Sequence, residues 1–206
     1  MMRHVVLFCQ SSRVSSEAWL RHLGQHHQMV LSEVFLKGKT LTNDYDLIDR
    51  HGQLYKTKQT LLENSKISIL FKLIAYQVEN FEWFRNNCDF ICLRRKNLKD
   101  IICSRAVAQG NNTFHIWKNQ NIKPKKVKVS HYDVSFIVKS TILFEKYIKS
   151  IKPIVNVYYK NFNNLNIRPI KYSKKDIVEN YDKVDDMILT TCDQYNFDYN
   201  AYGYEI

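Results

Sequence analysis

Near its start the chain carries an uninterrupted apolar run, residues 5–9 (VVLFC), followed directly by a polar loop rich in serine. An apolar run without alternation is typical of a strand that is buried on both faces of a parallel sheet. Residues 17–23 then have apolar side chains at helical spacing, and Gly24 is a typical helix end. Strand, polar loop and helix in this order are the opening of an α/β unit.

The same two patterns alternate along the rest of the chain. Short apolar segments predict further strands at residues 67–73, 90–93 and 167–172. Segments with helical spacing predict helices at residues 76–86, 98–108 and 133–151. We therefore predict an α/β fold: a single domain over residues 1–206, with three layers around a mostly parallel central sheet.

Two helix starts carry N-cap signals. Asn97, with Asp100 three residues later, is a typical N-cap arrangement ahead of the helix that begins at residue 98. Ser173 with Asp176 has the same spacing, ahead of a final helix that we expect to run towards residue 189. Both helices are therefore expected to begin directly after a polar capping residue.

Two stretches stand apart from this alternation. Residues 37–63 have the least pattern and are a possible insertion or mobile segment. Residues 195–206, rich in Tyr, Asp and Asn, predict an irregular tail. The chain has no internal repeat, and its 5 Gly and 3 Pro exclude collagen-like, low-complexity and turn-dense repeat architectures.

The charge balance implies an anionic partner. The chain has 31 Lys and Arg against 20 Asp and Glu, a net charge of +11, which fits nucleic acid, a membrane surface or a phosphate-bearing ligand. No stretch approaches the roughly 20 apolar residues of a membrane span. The 5 cysteines form no CxxC pair, which favours a reduced, cytoplasmic protein.

Two strand-to-helix loops carry residues that suit phosphate. The first has Arg13 among four serines, and the second has Arg94 and Arg95 ahead of a helix that bears Ser104. In α/β sheets, ligands bind beyond the carboxyl ends of the strands, where helix N-termini offer N–H groups to phosphate. The G-x-x-x-x-G-K-[ST] pattern is missing, which disfavours an ordinary P-loop triphosphatase. At this point a solvated loop and an exposed basic turn remain the alternatives.

The second loop resembles a known motif. Arg95 follows an apolar strand, Asn97 comes two residues later, Ser104 nine residues later, and Phe114-His115 lie beyond. This pattern resembles the second phosphate motif of sulfotransferases that use 3′-phosphoadenosine 5′-phosphosulfate (PAPS). It is most similar to that of the bacterial carbohydrate sulfotransferases, the group that includes the trehalose and nodulation-factor enzymes.

Further landmarks of that family occur in the family's order between residues 5 and 189. They are the loop Ser12-Arg13-Val14-Ser15-Ser16 with Trp19-Leu20, the acidic-aromatic element Ser32-Glu33-Val34-Phe35, the strand Phe71-Lys72-Leu73, and Ile170-Lys171-Tyr172 with Asp176-Ile177. The resemblance implies the P-loop-NTPase-like sulfotransferase fold for the whole chain.

The resemblance also implies the ligands of such an enzyme. PAPS is then the donor, no metal is required, and the acceptor is a hydroxyl of a carbohydrate-like or other small molecule. The residues implied to hold the 5′-phosphosulfate are Arg13, Val14, Ser15 and Ser16. Those implied to hold the 3′-phosphate are Arg95 and Ser104.

Catalytic roles follow from the same resemblance. Arg13 is implied to stabilise the charge that develops on the leaving oxygens. Glu33 is the implied general base, which takes the proton of the attacking hydroxyl, and His115 is a second possibility for that role.

Two alternatives of other classes stay open. The first loop lacks the glycine that the family has near Ser15, and Glu17 would repel a phosphate, which favours a catalytically degenerate nucleotide- or glycan-binding protein of the same fold. The net charge alone also fits a basic nucleic-acid binding module, whose affinity would fall steeply with salt. Nucleic acid is not the expected partner, because the sequence has no DNA- or RNA-recognition motif.

Overall fold

The structure, a computed structural model, describes residues 3–12, 14, 16–26, 29–31, 47–48, 54–55, 62–78, 81–111, 125–158 and 173–206. The chain divides into two compact units. The first unit consists of Met1–Arg94 and Leu143–Asn166, and the second of Arg95–Ile142 and Ile167–Ile206. The expectation of a single domain stays a prediction.

The described elements alternate between strands and helices. The strands are β1 (His4–Cys9), β2 (Met29–Leu31), β3 (Leu47–Ile48), β4 (Leu54–Tyr55), β5 (Ile69–Ile74), β6 (Cys88–Arg94) and β7 (Val155–Tyr158). The α-helices are α1 (Ser16–Gly24), α2 (Phe81–Asn87), α3 (Leu98–Gly110), α4 (His131–Ile148), α5 (Lys174–Ile177) and α6 (Val184–Gln194). None of these helices is long and apolar enough to cross a membrane.

A parallel sheet forms the centre of the first unit. Its five strands lie in the order β2-β5-β1-β6-β7, and every neighbouring pair is parallel. Strands β3 and β4 pair separately, as an antiparallel ribbon within the stretch that the sequence left without pattern. The predicted α/β class with a parallel sheet is confirmed.

One face of this sheet carries an aromatic core. It consists of alternate side chains from β1, β5 and β6 together with residues of α2 and the end of α4: Val6, Phe8, Phe71, Phe90, Phe84 and Phe144. The Phe8 and Phe144 rings stack at 5.1 Å, and Phe81 stacks on Tyr147 at 4.2 Å. Such pairs stabilise a core beyond the area they bury.

Helix α1 covers the opposite face of the sheet. The chain leaves β1 for β2 in one direction across the sheet, and it leaves β5 for β6 in the other direction. Because crossovers between parallel strands are right-handed, α1 and α2 cover opposite faces. Leu20 of α1 is buried accordingly. Helices on both faces are what a three-layer α/β arrangement requires.

The second unit is mainly helical. It holds α3, the first part of α4, α5 and α6. Val127 pairs with the chain beside Val178, since Val127 N donates to Ile177 O and Glu179 N donates to Val127 O, both at 2.9 Å. The Asn180 side chain fixes this pairing, because it bonds both N and O of Val129.

The N-cap predictions for α3 and α5 are confirmed. The Asn97 side chain accepts a hydrogen bond from Asp100 N at 2.7 Å, and the Ser173 side chain accepts one from Lys175 N. The length predicted after Ser173 is wrong. Helix α5 ends at Ile177 because Val178 turns extended to pair with Val127, and α6 starts only at Val184.

Other boundaries differ where tertiary contacts override local pattern. The predicted helix over residues 76–86 is shorter: residues Ala75–Gln77 form a single 3-10 turn, and α2 begins at Phe81. Strand β7 was not predicted, because two of its four residues are exposed and its pattern is that of an edge strand. The predicted strand at residues 167–172 lies outside the described residues.

Two glycines of the second unit are required for different reasons, one for close packing and the other for its backbone conformation. A Cβ at Gly110, the last residue of α3, would lie 2.4 Å from Val127 Cγ1, whereas a Cβ at Gly203 would meet nothing within 4 Å. Gly203 instead has φ of 71°, in the left-handed region that favours glycine.

We expect Gly110→Ala to lower the free energy of unfolding by about 2 kcal/mol through overpacking. Gly203→Ala should cost about 1 kcal/mol from backbone strain alone. Urea unfolding at equilibrium measures both. Val127→Ala should recover part of the loss in the Gly110→Ala background and none in the Gly203→Ala background. Equal behaviour in the two backgrounds would contradict the close packing of α3 on Val127.

Candidate functional site

The sheet order points to one edge as the place for a ligand. The connection after β1 runs to one side of the sheet, towards β2, and the connection after its neighbour β6 runs to the other side, towards β7, so the strand order reverses between β1 and β6. In open α/β sheets, the crevice for ligands lies outside the carboxyl ends of the strands at such a reversal. The residues at this place are those of the loop that follows Cys9, for which the sequence predicts phosphate binding.

The first residues of this loop are held firmly. Gln10 N donates to Leu93 O at 3.1 Å, which ties the end of β1 to the end of β6. The side chains of Gln10 and Ser11 are fully buried, and so is that of Val14. A polar loop buried to this degree is unlike the solvated loop that was the alternative from sequence.

Ser12 carries the most informative atom of the loop. Its Oγ is buried, and it has no hydrogen-bond partner among the residues that the structure describes. A buried hydroxyl without a partner is costly, so such an atom needs an explanation, for which a bound ligand or water is the usual one. Ser16, also buried, begins α1, whose first turn offers N–H groups that no helical carbonyl can accept. The Ser12 hydroxyl and the first N–H groups of α1 are thus hydrogen-bond donors that an acceptor-rich group could satisfy.

Several of the predicted site residues lie outside the residues that the structure describes. Of the residues implied for the 5′-phosphosulfate, Val14 and Ser16 belong to this loop, while Arg13 and Ser15 lie outside the described residues. The implied bases Glu33 and His115 lie outside them too. Their roles stay predictions.

Arg94, the last residue of β6, is a buried cation at the same edge of the sheet. Its Nη1 lies 3.1 Å from Glu145 Oε1, and its guanidinium lies over the rings of Phe144 and Tyr158. Its Nε is buried and has no partner within the described ranges. The exposed basic turn that the sequence left open as an alternative is wrong for Arg94, which is a buried ion-pair residue of the first unit.

Arg95 lies at the start of the second unit and is buried as well. Its Nη2 donates to Asp100 Oδ2 at 2.5 Å, and Asp100 belongs to the first turn of α3. Ser104 lies one turn further along α3 and is partly buried. The exposed basic turn that was the alternative for this segment is wrong for Arg95, since only 8% of the residue is accessible.

Lys174 of α5 also binds Asp100, a contact that the sequence did not predict. Lys174 Nζ donates to Asp100 Oδ1 at 2.7 Å and to Asp100 O at 3.0 Å. Each oxygen of one carboxylate therefore binds a different cation. We refer to Arg95, Asp100 and Lys174 as the α3 cluster.

The α3 cluster shifts the pKa values of its members. Burial by itself would raise the pKa of Asp100, but the hydrogen bond from Lys174 and the charge of Arg95 outweigh it, and that pKa lies below its usual value. Burial and the nearby Arg95 charge lower the pKa of Lys174, against the opposing pull of Asp100. The cluster thus favours an anion between its two cations.

The cysteines offer no nucleophile. All five are buried thiols that form no disulfide. Burial raises the pKa of Cys88 and Cys92 to about 12, and that of Cys103 and Cys192 to about 11. Because the thiolate is the reactive form, thiols of this kind are inert at neutral pH.

Comparison with known proteins assigns no family. No family model, curated protein or solved structure matches the chain. The likeness to sulfotransferases therefore rests on short motifs and their order along the chain, and the activity is a matter for proposal and experiment.

Two ion pairs of the first unit differ in burial and provide a matched test. Arg94 and Glu145 expose 11% and 7% of their side chains, whereas Arg3 and Asp89, paired at 2.7 Å, expose 46% and 41%. Glu145→Gln should lower the free energy of unfolding by about 3 kcal/mol, because it leaves a buried guanidinium without its counter-ion. Asp89→Asn should cost less than about 1 kcal/mol. Similar losses in urea unfolding would speak against a buried pair.

Asp100 should contribute to stability in a pH-dependent way. Its folded-state pKa is lowered, so its stabilising effect is present above the unfolded value of about 4 and is lost as the pH falls through the folded pKa. Because 39% of the side chain is exposed, solvent screens the interaction, and we expect Asp100→Asn to cost about 1 kcal/mol at pH 7. Urea unfolding from pH 7 to acid should show the difference shrinking below about pH 4. A constant difference would contradict the shift.

Proposed function

We propose that this protein is a sulfotransferase that transfers the sulfuryl group of PAPS to a hydroxyl of a carbohydrate-like or other small acceptor. The observation that carries the proposal is the loop after β1. It lies at the strand-order reversal of a parallel sheet, and it holds a buried hydroxyl, Ser12 Oγ, without a partner among the described residues. Loops in this position, ahead of a helix N-terminus, bind phosphate groups in α/β proteins.

The donor is bound through its two charged ends. In this proposal the loop takes the 5′-phosphosulfate, with Ser12 and Ser16 beside Arg13, Val14 and Ser15. The 3′-phosphate, which distinguishes PAPS from ATP and AMP, binds to Arg95 and Ser104. The support for the second assignment is that Arg95 is buried and already binds an anionic group, the Asp100 carboxylate.

The reaction is a direct displacement at sulfur. The acceptor oxygen forms a bond to sulfur while the bond between sulfur and the bridging phosphate oxygen breaks, so 3′-phosphoadenosine 5′-phosphate (PAP) leaves with an added negative charge. Arg13 and the loop N–H groups stabilise that charge. The proton of the attacking hydroxyl passes to Glu33 or, as the second possibility, to His115. The rest of the catalysis is positioning, as in phosphoryl transfer.

The binding test uses PAP, the product, and AMP, which lacks the 3′-phosphate. Calorimetry should show PAP binding at micromolar concentrations and weaker AMP binding. Arg95→Ala should weaken PAP binding about 10- to 100-fold, the value of a hydrogen-bonded charge pair, and leave AMP binding unchanged. Ser12→Ala should weaken both nucleotides. Arg85→Ala and Ser150→Ala, at exposed sites of the first unit, are the matched controls.

The outcomes separate the candidate functions. If PAP does not bind at high micromolar concentration, or if Arg95→Ala leaves its affinity unchanged, the proposal is wrong. If PAP binds but no sulfuryl group is transferred across a broad panel of hydroxyl acceptors, the protein is a nucleotide-binding member of the same fold. Binding to DNA or RNA that weakens steeply with salt would identify the basic nucleic-acid module instead.

A further inference from the structure

The α3 cluster has an unusual charge balance. Arg95 and Lys174 bind the two oxygens of a single carboxylate, at 2.5 and 2.7 Å. The neighbouring Lys99 does not share it, because Lys99 has its own carboxylate, Asp185, at 2.7 Å. Among the described residues, these two cations therefore share one carboxylate, and a group with two negative charges would offer one to each.

Arg95 and Lys174 are buried, and the Asp100 carboxylate is the most exposed group of the three. The side chains of Arg95 and Lys174 are 10% and 14% exposed, against 39% for Asp100. Two buried cations need an anion between them, since unpaired buried charge is strongly unfavourable. The Asp100 carboxylate supplies one, and its exposure leaves it a path into solvent.

The N-cap contact of α3 does not involve that carboxylate. The capping contact at its start runs from Asp100 N to the Asn97 side chain, so it survives if the carboxylate turns away. The first turn of a helix favours negative charge of any origin. A phosphate that replaced the carboxylate would meet the same two cations and the same helix end.

We propose that the Asp100 carboxylate competes with a ligand phosphate for Arg95 and Lys174, so that Lys174 is a second phosphate-binding cation and Asp100 sets the affinity of the site. This rests on the proposed function, in which Arg95 binds the 3′-phosphate of the donor. Binding then exchanges one anion for another: the carboxylate moves to solvent and the phosphate dianion takes its place between the cations. No covalent bond changes.

The decisive probe is inorganic phosphate, which does not depend on the nucleotide assignment. The second pKa of inorganic phosphate is higher than that of a phosphate ester, so the measurement is made at about pH 8, where the dianion predominates. Thermal unfolding of the full chain is followed as phosphate replaces chloride at constant ionic strength. Asp100→Asn should bind phosphate about tenfold more tightly than the wild type, because the competing carboxylate is gone.

Two variants control this result. Lys174→Met in the Asp100→Asn background should abolish the gain, because one of the two cations is lost. Asp185→Asn removes a carboxylate of similar exposure that pairs with the single cation Lys99, and it should respond to phosphate as the wild type does. An equal gain in Asp185→Asn and Asp100→Asn would reduce the effect to a general loss of negative charge and overturn the proposal.

The nucleotides then connect the cluster to the proposed function. Lys174→Met alone should weaken PAP binding at least about tenfold and leave AMP binding unchanged, since AMP lacks the 3′-phosphate. If Asp100→Asn fails to fold, this variant decides: unchanged affinity for PAP and for inorganic phosphate overturns the proposal. If the phosphate gain of Asp100→Asn appears and depends on Lys174 while no protein binds PAP, the anion exchange stands and the sulfotransferase assignment fails.

Discussion

The pairing of β1 between β5 and β6 is the constraint on which the rest of the first unit depends. Both neighbours are parallel to β1, so Cys9, Ile74 and Leu93 end at one edge of the sheet. Because β1 is buried on both faces, its register is fixed by the whole core rather than by a turn. The first residues of the loop after β1 are therefore fixed by the same core. This is why the Ser12 hydroxyl can be held in a buried position without a hydrogen-bond partner among the described residues.

The two consecutive arginines after Leu93 show how this protein handles positive charge. Arg94 turns to Glu145 and two aromatic rings, and Arg95 turns to Asp100. Neither guanidinium is available on the surface, although the chain carries a net charge of +11. The charge of each guanidinium is therefore balanced by a carboxylate of the same unit, and in the proposed anion exchange a ligand would compete with a carboxylate as well as with water. Such competition makes affinity depend on a few residues instead of on the overall field.

Much of this arrangement could be predicted from sequence because it is local. The apolar run of β1, the cap by Asn97 and the position of Arg95 shortly before α3 follow from neighbouring residues. Lys174 and Glu145 could not be predicted as partners, since contacts such as the one 74 residues apart between Lys174 and Asp100 depend on the tertiary fold. The sequence offered one signal for each partner. Ser173, a capping residue, stands directly before Lys174, and Glu145 is a single carboxylate in an apolar stretch of α4. The early end of α5 followed from strand pairing with Val127, which overrides helix propensity.

The buried thiols have a practical consequence for studies of motion. Cys9, Cys88 and Cys92 lie in strands of the first unit, and Cys103 and Cys192 lie in helices of the second. Each must be exposed by local opening before a thiol reagent can reach it. The rate at which each cysteine is alkylated under native conditions therefore reports how often its own segment opens. The natural sequence thus already contains reporters for the opening of both units, without any introduced label.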